Sequence, residues 1–254
     1  MGIPEHATLI ITGASRGIGC ALAGLLAERG HNLVLNGRDG QKLHEVEREC
    51  SDISRAAQWD KARFSHVAGD CSRAEVVREL AAKARELGGL YGFFHVAGVL
   101  APGPALWELS EEDYDAVMDA SVRGAYQLIR FTMPALIARG EGLAVFFGSG
   151  AATRVQPGIA AYCAAKAAEE HMARQLAAEA PEVASIIFQP SIVETRMQVQ
   201  ARESEGERSE GLRQVFRSWK DKGMLLTPEE SARQLLDFLN TDIRSLSGEM
   251  VRAK

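Results

Sequence analysis

The 254-residue chain is predicted to fold as one doubly wound α/β domain, a parallel sheet with helices on both faces. Three observations predict it. Short apolar runs rich in β-branched and aromatic residues alternate with longer stretches of helical period. A glycine cluster stands between the first such run and the first helix. With 46% hydrophobic and 25% charged residues, the chain can build a large core without a second domain, so residues 1–254 are read as a single unit.

The elements follow in order. ATLIIT (7–12) is read as the first strand and CALAGLLAERG (20–30) as the first helix. NLVLN (32–36) and QKLHEVEREC (41–50) repeat the pair, as do FSHVAG (64–69) and AEVVRELAAKAREL (74–87). GFFHVAG (92–98) is a fourth strand, followed by the helix-like run 111–140 and by LAVFFGS (143–149). An alanine-rich helix over 157–171 leads to VASIIFQP (183–190). A late helix over 227–240 starts on a capping box formed by Thr227 and Glu230, and GEMVR (248–252) closes the sheet. In such sheets ligands bind beyond the carboxyl ends of the strands, where strand order reverses. Motifs at strand ends therefore carry the function.

A net charge of −5 and a pI near 5.8 provide no basic field for nucleic acid. No run reaches the ~18 apolar residues of a membrane span, and the first residues carry neither a basic leader nor a myristoylation signal. Cys20, Cys50, Cys71 and Cys163 lack metal-ligand spacing and suit reduced thiols, so no metal and a cytoplasmic location are expected.

TGASRGIG follows the first strand, with Gly13, Gly17 and Gly19 leading into the helix. Glycines there allow a tight turn and let backbone N–H groups meet a pyrophosphate at the positive helix end. The second strand ends in Asn36, Gly37 and Arg38, without the acidic residue that would bind a ribose 2′-hydroxyl. Arg38 and Arg16 can instead converge on a 2′-phosphate, which favours NADP(H) over NAD(H). Asp39 is read as a helix cap.

Tyr162 and Lys166 stand four positions apart in a helical run and share one face. Four tyrosines and seven lysines in 254 residues would give such a pair by chance only about 0.1 times. Ser149, at the end of a strand, can face the same sheet edge. Hydride arrival at a carbonyl carbon creates an alkoxide that needs a proton; a phenol is a weak donor, and a neighbouring ammonium makes it a stronger one. Ser149 would orient and polarise the carbonyl.

These residues together make the sequence resemble the short-chain dehydrogenase/reductase family along essentially its whole length. The resemblance implies a Rossmann fold and catalysis by Ser149, Tyr162 and Lys166. It implies cofactor contacts from Gly13, Ser15, Arg16, Gly17, Ile18 and Gly19 of the loop and from Arg38. Asp70 and Cys71 would lie by the adenine, Ala97 and Gly98 in the cleft, Tyr162 and Lys166 at the ribose, and Ile192 and Thr195 at the carboxamide. Three positions depart from the family pattern. His95 and Val96 replace two asparagines, His95 being read as a structural substitute. Ser191 follows Pro190 where the family has glycine. Ser121 takes the place of a catalytic asparagine that holds a water, which implies reduced activity. Residues 193–240 and the tail 246–254 resemble the sepiapterin reductase and benzil reductase branch. There the pterin-anchoring aspartate corresponds to Arg252, of opposite charge, which points to a diketone or another compact carbonyl substrate.

Residues 196–223 are expected to form a helical lid, with Met197, Val215, Phe216 and Trp219 towards the cleft; a solvated helix pair is the alternative. Trp107 is expected at the pocket rim or in the core. The resemblance further implies a homodimer or homotetramer built on the helices around 110–138 and 157–180. Two other functions use the same residues: an alcohol dehydrogenase working oxidatively, and an NADP(H)-binding regulatory or scaffold protein with impaired catalysis.

Overall fold

The computed structural model describes residues 2–254. Seven strands form one parallel sheet: β1 (Thr8–Thr12), β2 (Asn32–Gly37), β3 (Phe64–Ala68), β4 (Leu90–His95), β5 (Gly142–Phe147), β6 (Val183–Gln189) and β7 (Met250–Arg252). Their order is β3-β2-β1-β4-β5-β6-β7, so the direction of winding reverses between β1 and β4. The helices are α1 (Gly17–Ala27), α2 (Gly40–Ala56), α3 (Ala74–Glu86), α4 (Glu111–Met118), α5 (Gly124–Arg139), α6 (Ala160–Glu179), α7 (Arg196–Arg202), α8 (Ser209–Asp221) and α9 (Pro228–Leu239).

Strand periodicity divides the core. Leu9, Ile11, Leu33, Leu35 and Phe94 point to the face covered by α1, α2 and α9, whereas Ile10, Val34 and Phe93 point to the face covered by α3, α5 and α6. Each of these fully buried side chains contributes about 1.5–3 kcal/mol by leaving water. Together they hold the strand ends rigid. Asp39 accepts from the Lys42 N–H as the cap of α2, and Thr227 with Glu230 forms the capping box of α9, both as the sequence predicts.

One element differs from its reading. The run 111–140 is not a continuous α-helix: residues Asp119–Arg123 form a π-helical turn between α4 and α5, and Ser121 sits inside it. Such an extra-residue turn shifts the register of everything after it and commonly accompanies a functional site.

A third apolar cluster lies outside the sheet. Ala201 of α7 and Leu212 and Phe216 of α8 pack on Leu100, Val117, Ile159 and Tyr162. The segment joining α7 to α8 is stitched down at Gly103: the Gly103 carbonyl accepts from the Arg208 N–H at 3.1 Å, and a Cβ on Gly103 would lie 1.9 Å from the Glu205 oxygen. Trp107 is in neither expected place. It is 76% exposed, lies outside the cleft, and has the Arg208 guanidinium over its ring. Among the described residues no helix is long and apolar enough to cross a membrane.

Candidate active site

A cleft of about 1550 Å³ opens along the carboxyl ends of the strands at the reversal point. That volume exceeds the ~300–1000 Å³ of an ordinary small-molecule pocket and leaves room for a dinucleotide beside a substrate.

At one end lies the glycine loop. Gly13 and Gly17 adopt φ of +66° and +57°, and a Cβ on Gly13 would stand 2.9 Å from the Ala97 nitrogen. A Cβ on Gly19 would stand 2.3 Å from the Gly13 oxygen. The turn is thus closed to larger residues. Helix α1 begins at Gly17 with no side-chain cap and no acidic residue in its first turn, so its N–H groups and positive end face the cleft uncompensated. That arrangement fits a pyrophosphate. Ser15 and Ile18 line the same wall.

Beyond β2, Asn36 is not free to read a ribose, because its amide donates to the Val67 and Gly69 carbonyls at 3.0 and 3.1 Å. This ties the loop after β3 and places Asp70 and Cys71 on the cleft wall, where Asp70 accepts from the Ser72 N–H. Arg16 and Arg38 are exposed, border the cleft, and make no ion pair among the described residues. Two guanidinium groups with no ion-pair partner among the described residues fit a 2′-phosphate.

The other end carries the polar side chains of β5 and α6. Tyr162 and Lys166 line the cleft one helical turn apart, with the ammonium 5.9 Å from the phenol ring centroid. Lys166 donates to the Phe147 carbonyl at 2.8 Å and to Glu169 Oε2 at 2.7 Å. Burial opposes its charge, but Glu169 and Tyr162 outweigh burial and raise Lys166 above its ordinary value. Burial also pushes the Glu169 carboxyl up to about 7, against the pull of Lys166. Ser149 presents its hydroxyl at the end of β5; its oxygen accepts from the Ala151 N–H, which leaves the O–H proton for a ligand. Ala97, Gly98, Ile192 and Thr195 complete the walls.

Ser121 is the one predicted site residue that does not reach the cleft. It is fully buried, and its Oγ makes no hydrogen bond. A Cβ on Gly98 would lie 3.9 Å from both Ser121 Oγ and Lys166 Nζ, so the two groups flank one small space. His95 acts structurally, as expected. Its Nε2 lies 3.0 Å from the Ser121 carbonyl, which can only accept, so Nδ1 accepts from Thr12 Oγ1 at 3.0 Å. Burial and then Lys166 hold the ring neutral, lowered to about 3. Ser191 takes a left-handed φ of +65°, the conformation the family's glycine would supply.

The sequence reading missed two carboxylates. Glu170 Oε1 accepts from the Ser149 N–H at 3.1 Å and from Gln189 at 3.2 Å, joining the ends of β5 and β6. Gly148 packs closely beside it: a Cβ there would lie 2.5 Å from Glu170 Oε1 and 2.8 Å from Ile187 Cγ2. Glu169 is the partner of Lys166. The signal was their spacing, three and four residues past Lys166 on the buried stripe of α6.

Fold and cleft together define a dinucleotide-dependent oxidoreductase scaffold with a Ser–Tyr–Lys cluster at the reacting end. Residues 7–206 match the short chain dehydrogenase family, and the chain belongs to that family. An NADPH-dependent pterin aldehyde reductase of Arabidopsis thaliana is 31% identical over 192 residues, 75% of this chain and 76% of that protein. An oxidoreductase of Schizosaccharomyces pombe is 26% identical over 97% of this chain and 96% of its own. Among solved structures, an alcohol dehydrogenase from the archaeon Thermococcus sibiricus, complexed with 5-hydroxy-NADP, superposes with a TM-score of 0.80 at 25% identity, covering 98% of this chain and 96% of its own.

Proposed function

We propose that the protein is an NADPH-dependent carbonyl reductase that converts a compact ketone or diketone to an alcohol. The observation that carries the reading is the juxtaposition of Tyr162, the charged Lys166 and the free hydroxyl of Ser149 in one cleft. A bound nicotinamide would supply the hydride. Ser149 donates to the substrate carbonyl oxygen and fixes its direction. Tyr162 delivers its phenolic proton to the oxygen as negative charge grows there, and the Lys166 ammonium stabilises the phenolate that remains.

Arg16 and Arg38 favour a cofactor with a 2′-phosphate, a choice supported by the name of the Arabidopsis relative. The side chain of Arg252, at the end of β7 and on the cleft, has only the Met250 sulfur as hydrogen-bond partner among the described residues, at 3.4 Å. A cation there suits a substrate that presents acceptor oxygens, such as a diketone, over a pterin held by a carboxylate. Helices α7 and α8 act as the substrate lid, with Met197, Val215, Phe216 and Trp219 on the cleft side. Exposed Tyr114, Tyr126 and Ile137 on α4 and α5 support self-association through that face. Four free cysteines are in keeping with a reducing cytoplasm.

The test is NADPH consumption against benzil, other vicinal diketones, sepiapterin, aldehydes and quinones, with Tyr162→Phe in parallel. Loss of a general acid lowers turnover by about 10²–10⁴-fold, so a Phe variant that binds NADPH yet turns over no substrate is expected. Equal turnover in the variant would overturn the reading.

A further inference from the structure

Helix α6 buries a carboxylate that the chemistry set out above does not use. Glu169 lies one turn beyond Lys166, is fully buried, and offers one oxygen to the ammonium while Oε1 accepts no hydrogen bond. Stability does not explain it, because a buried ion pair costs as much desolvation as it returns, and an apolar residue would continue the stripe without that cost.

The explanation lies in Lys166. That ammonium is buried as well, and a buried ammonium without a counter-charge gives up its proton. Its other acceptor, the Phe147 carbonyl, is neutral. The groups facing the pair from other elements carry no compensating charge: His95 at the end of β4 is neutral, and the Cys71 thiol after β3 is pushed up to about 12, first by burial. Ser121, in the π-helical turn, has only an unpartnered hydroxyl. On α6 itself, Tyr162 is the proton donor, and Glu170 is engaged by the Ser149 N–H, Gln189 and Arg174.

We propose that Glu169 is a positioning residue of the reduction: its carboxylate keeps Lys166 charged and fixed between Phe147 and the cleft, so that the ammonium serves Tyr162 across the neutral and mildly alkaline range. The assignment rests on the carbonyl reductase reading. It gives the chain a dedicated support for its lysine where the family's asparagine has become Ser121.

The experiment is the pH profile of kcat and KM from pH 5.5 to 9.5 for the full-length wild type, Glu169→Gln, Glu169→Asp and Tyr162→Phe. In Glu169→Gln the lysine titrates at lower pH. Turnover is then expected within about threefold of wild type at pH 6 but down at least about tenfold at pH 8.5, with substrate KM at pH 6 changed less than about threefold. Glu169→Asp restores part of the alkaline activity. A merely structural role would lower activity by the same factor at every pH, and parallel profiles overturn the proposal. Turnover surviving in Tyr162→Phe removes the reductase reading, and this proposal with it. Should Glu169→Gln fail to fold, NMR titration of ¹³Cε-labelled lysine in the wild type, assigned with Lys166→Arg, decides. An ammonium charged through pH 9.5 is expected, and one that titrates below pH 8.5 overturns the proposal.

Discussion

His95 and Ser121 are bonded in the buried layer behind the cleft, the imidazole Nε2–H donating to the Ser121 carbonyl at 3.0 Å while Nδ1 accepts from Thr12. One buried ring therefore ties the end of β4 to the π-helical turn and, through the N–H groups of Val96 and Ala97 on Thr12 Oγ1, to the end of β1. His95→Leu leaves the Ser121 carbonyl and the Thr12 hydroxyl proton without partners. A loss of about 2–4 kcal/mol is expected, read as a lower urea midpoint with an unchanged slope.

Acid should weaken the fold, and the buried histidines set the window. Burial, helped by Arg29, lowers His31 to about 4, and burial with Lys166 lowers His95 to about 3, from 6.5. Their stabilisation is complete above pH 6.5 and is lost as pH falls towards 4 and 3, because the unfolded chain then binds protons that the fold refuses. Glu169 acts oppositely. Raised by burial to about 7, it favours the fold below its unfolded value of 4.5 and loses that contribution as pH rises through 7. Between pH 4.5 and 6.5 the balance is about one proton, or about 1.4 kcal/mol per pH unit. Glu169→Gln should roughly double that slope in urea titrations at stepped pH.

The cofactor assignment depends on two exposed guanidinium groups. Arg38→Ala and Arg16→Ala should each weaken NADPH binding by about tenfold to a hundredfold, the worth of one charged hydrogen bond, and leave NADH affinity within about twofold. Calorimetric titration with both nucleotides checks this. An unchanged NADPH affinity in both variants would show that the cleft does not select a phosphate.

Gly103 pins the segment between α7 and α8. Its φ of +124° and a clash of 1.9 Å with the Glu205 oxygen leave no room for alanine. Gly103→Ala should release the junction, raise substrate KM more than NADPH Kd, and speed tryptic cleavage at Arg202 and Arg208. Cleavage at the wild-type rate would mean that the α7–α8 segment is held by its apolar face alone.

The fold was legible because short runs rich in β-branched and aromatic residues, such as LAVFFGS, alternate with longer stretches of helical period, such as CALAGLLAERG. The placing of Tyr162 and Lys166 on one face of α6 was legible for a similar reason: they stand four positions apart with only cysteine and alanines between them. The π-helical turn was not, since one extra residue in five changes the apolar pattern too little to separate it from an α-helix. Glu169 and Glu170 were missed because a carboxylate normally marks a solvated face; Glu169 turns inward to Lys166 on its own helix, and Glu170 to Ser149 and Gln189 on other elements. Trp107 defied its composition: its indole lies under an arginine on the surface instead of filling a cavity.

The π-helical turn at Asp119–Arg123 also has a genetic consequence. The segment from α4 to α5 holds one residue more than a continuous α-helix would use. Loss of a single codon there would remove the surplus residue and let an uninterrupted helix with good local hydrogen bonding span the same distance. Such a frame-preserving deletion would spare the helix itself yet swing Ser121 and its carbonyl away from His95 and Lys166. A chain carrying it would keep its fold and lose the contact between β4 and this turn, so at these five positions residue number matters as much as residue identity.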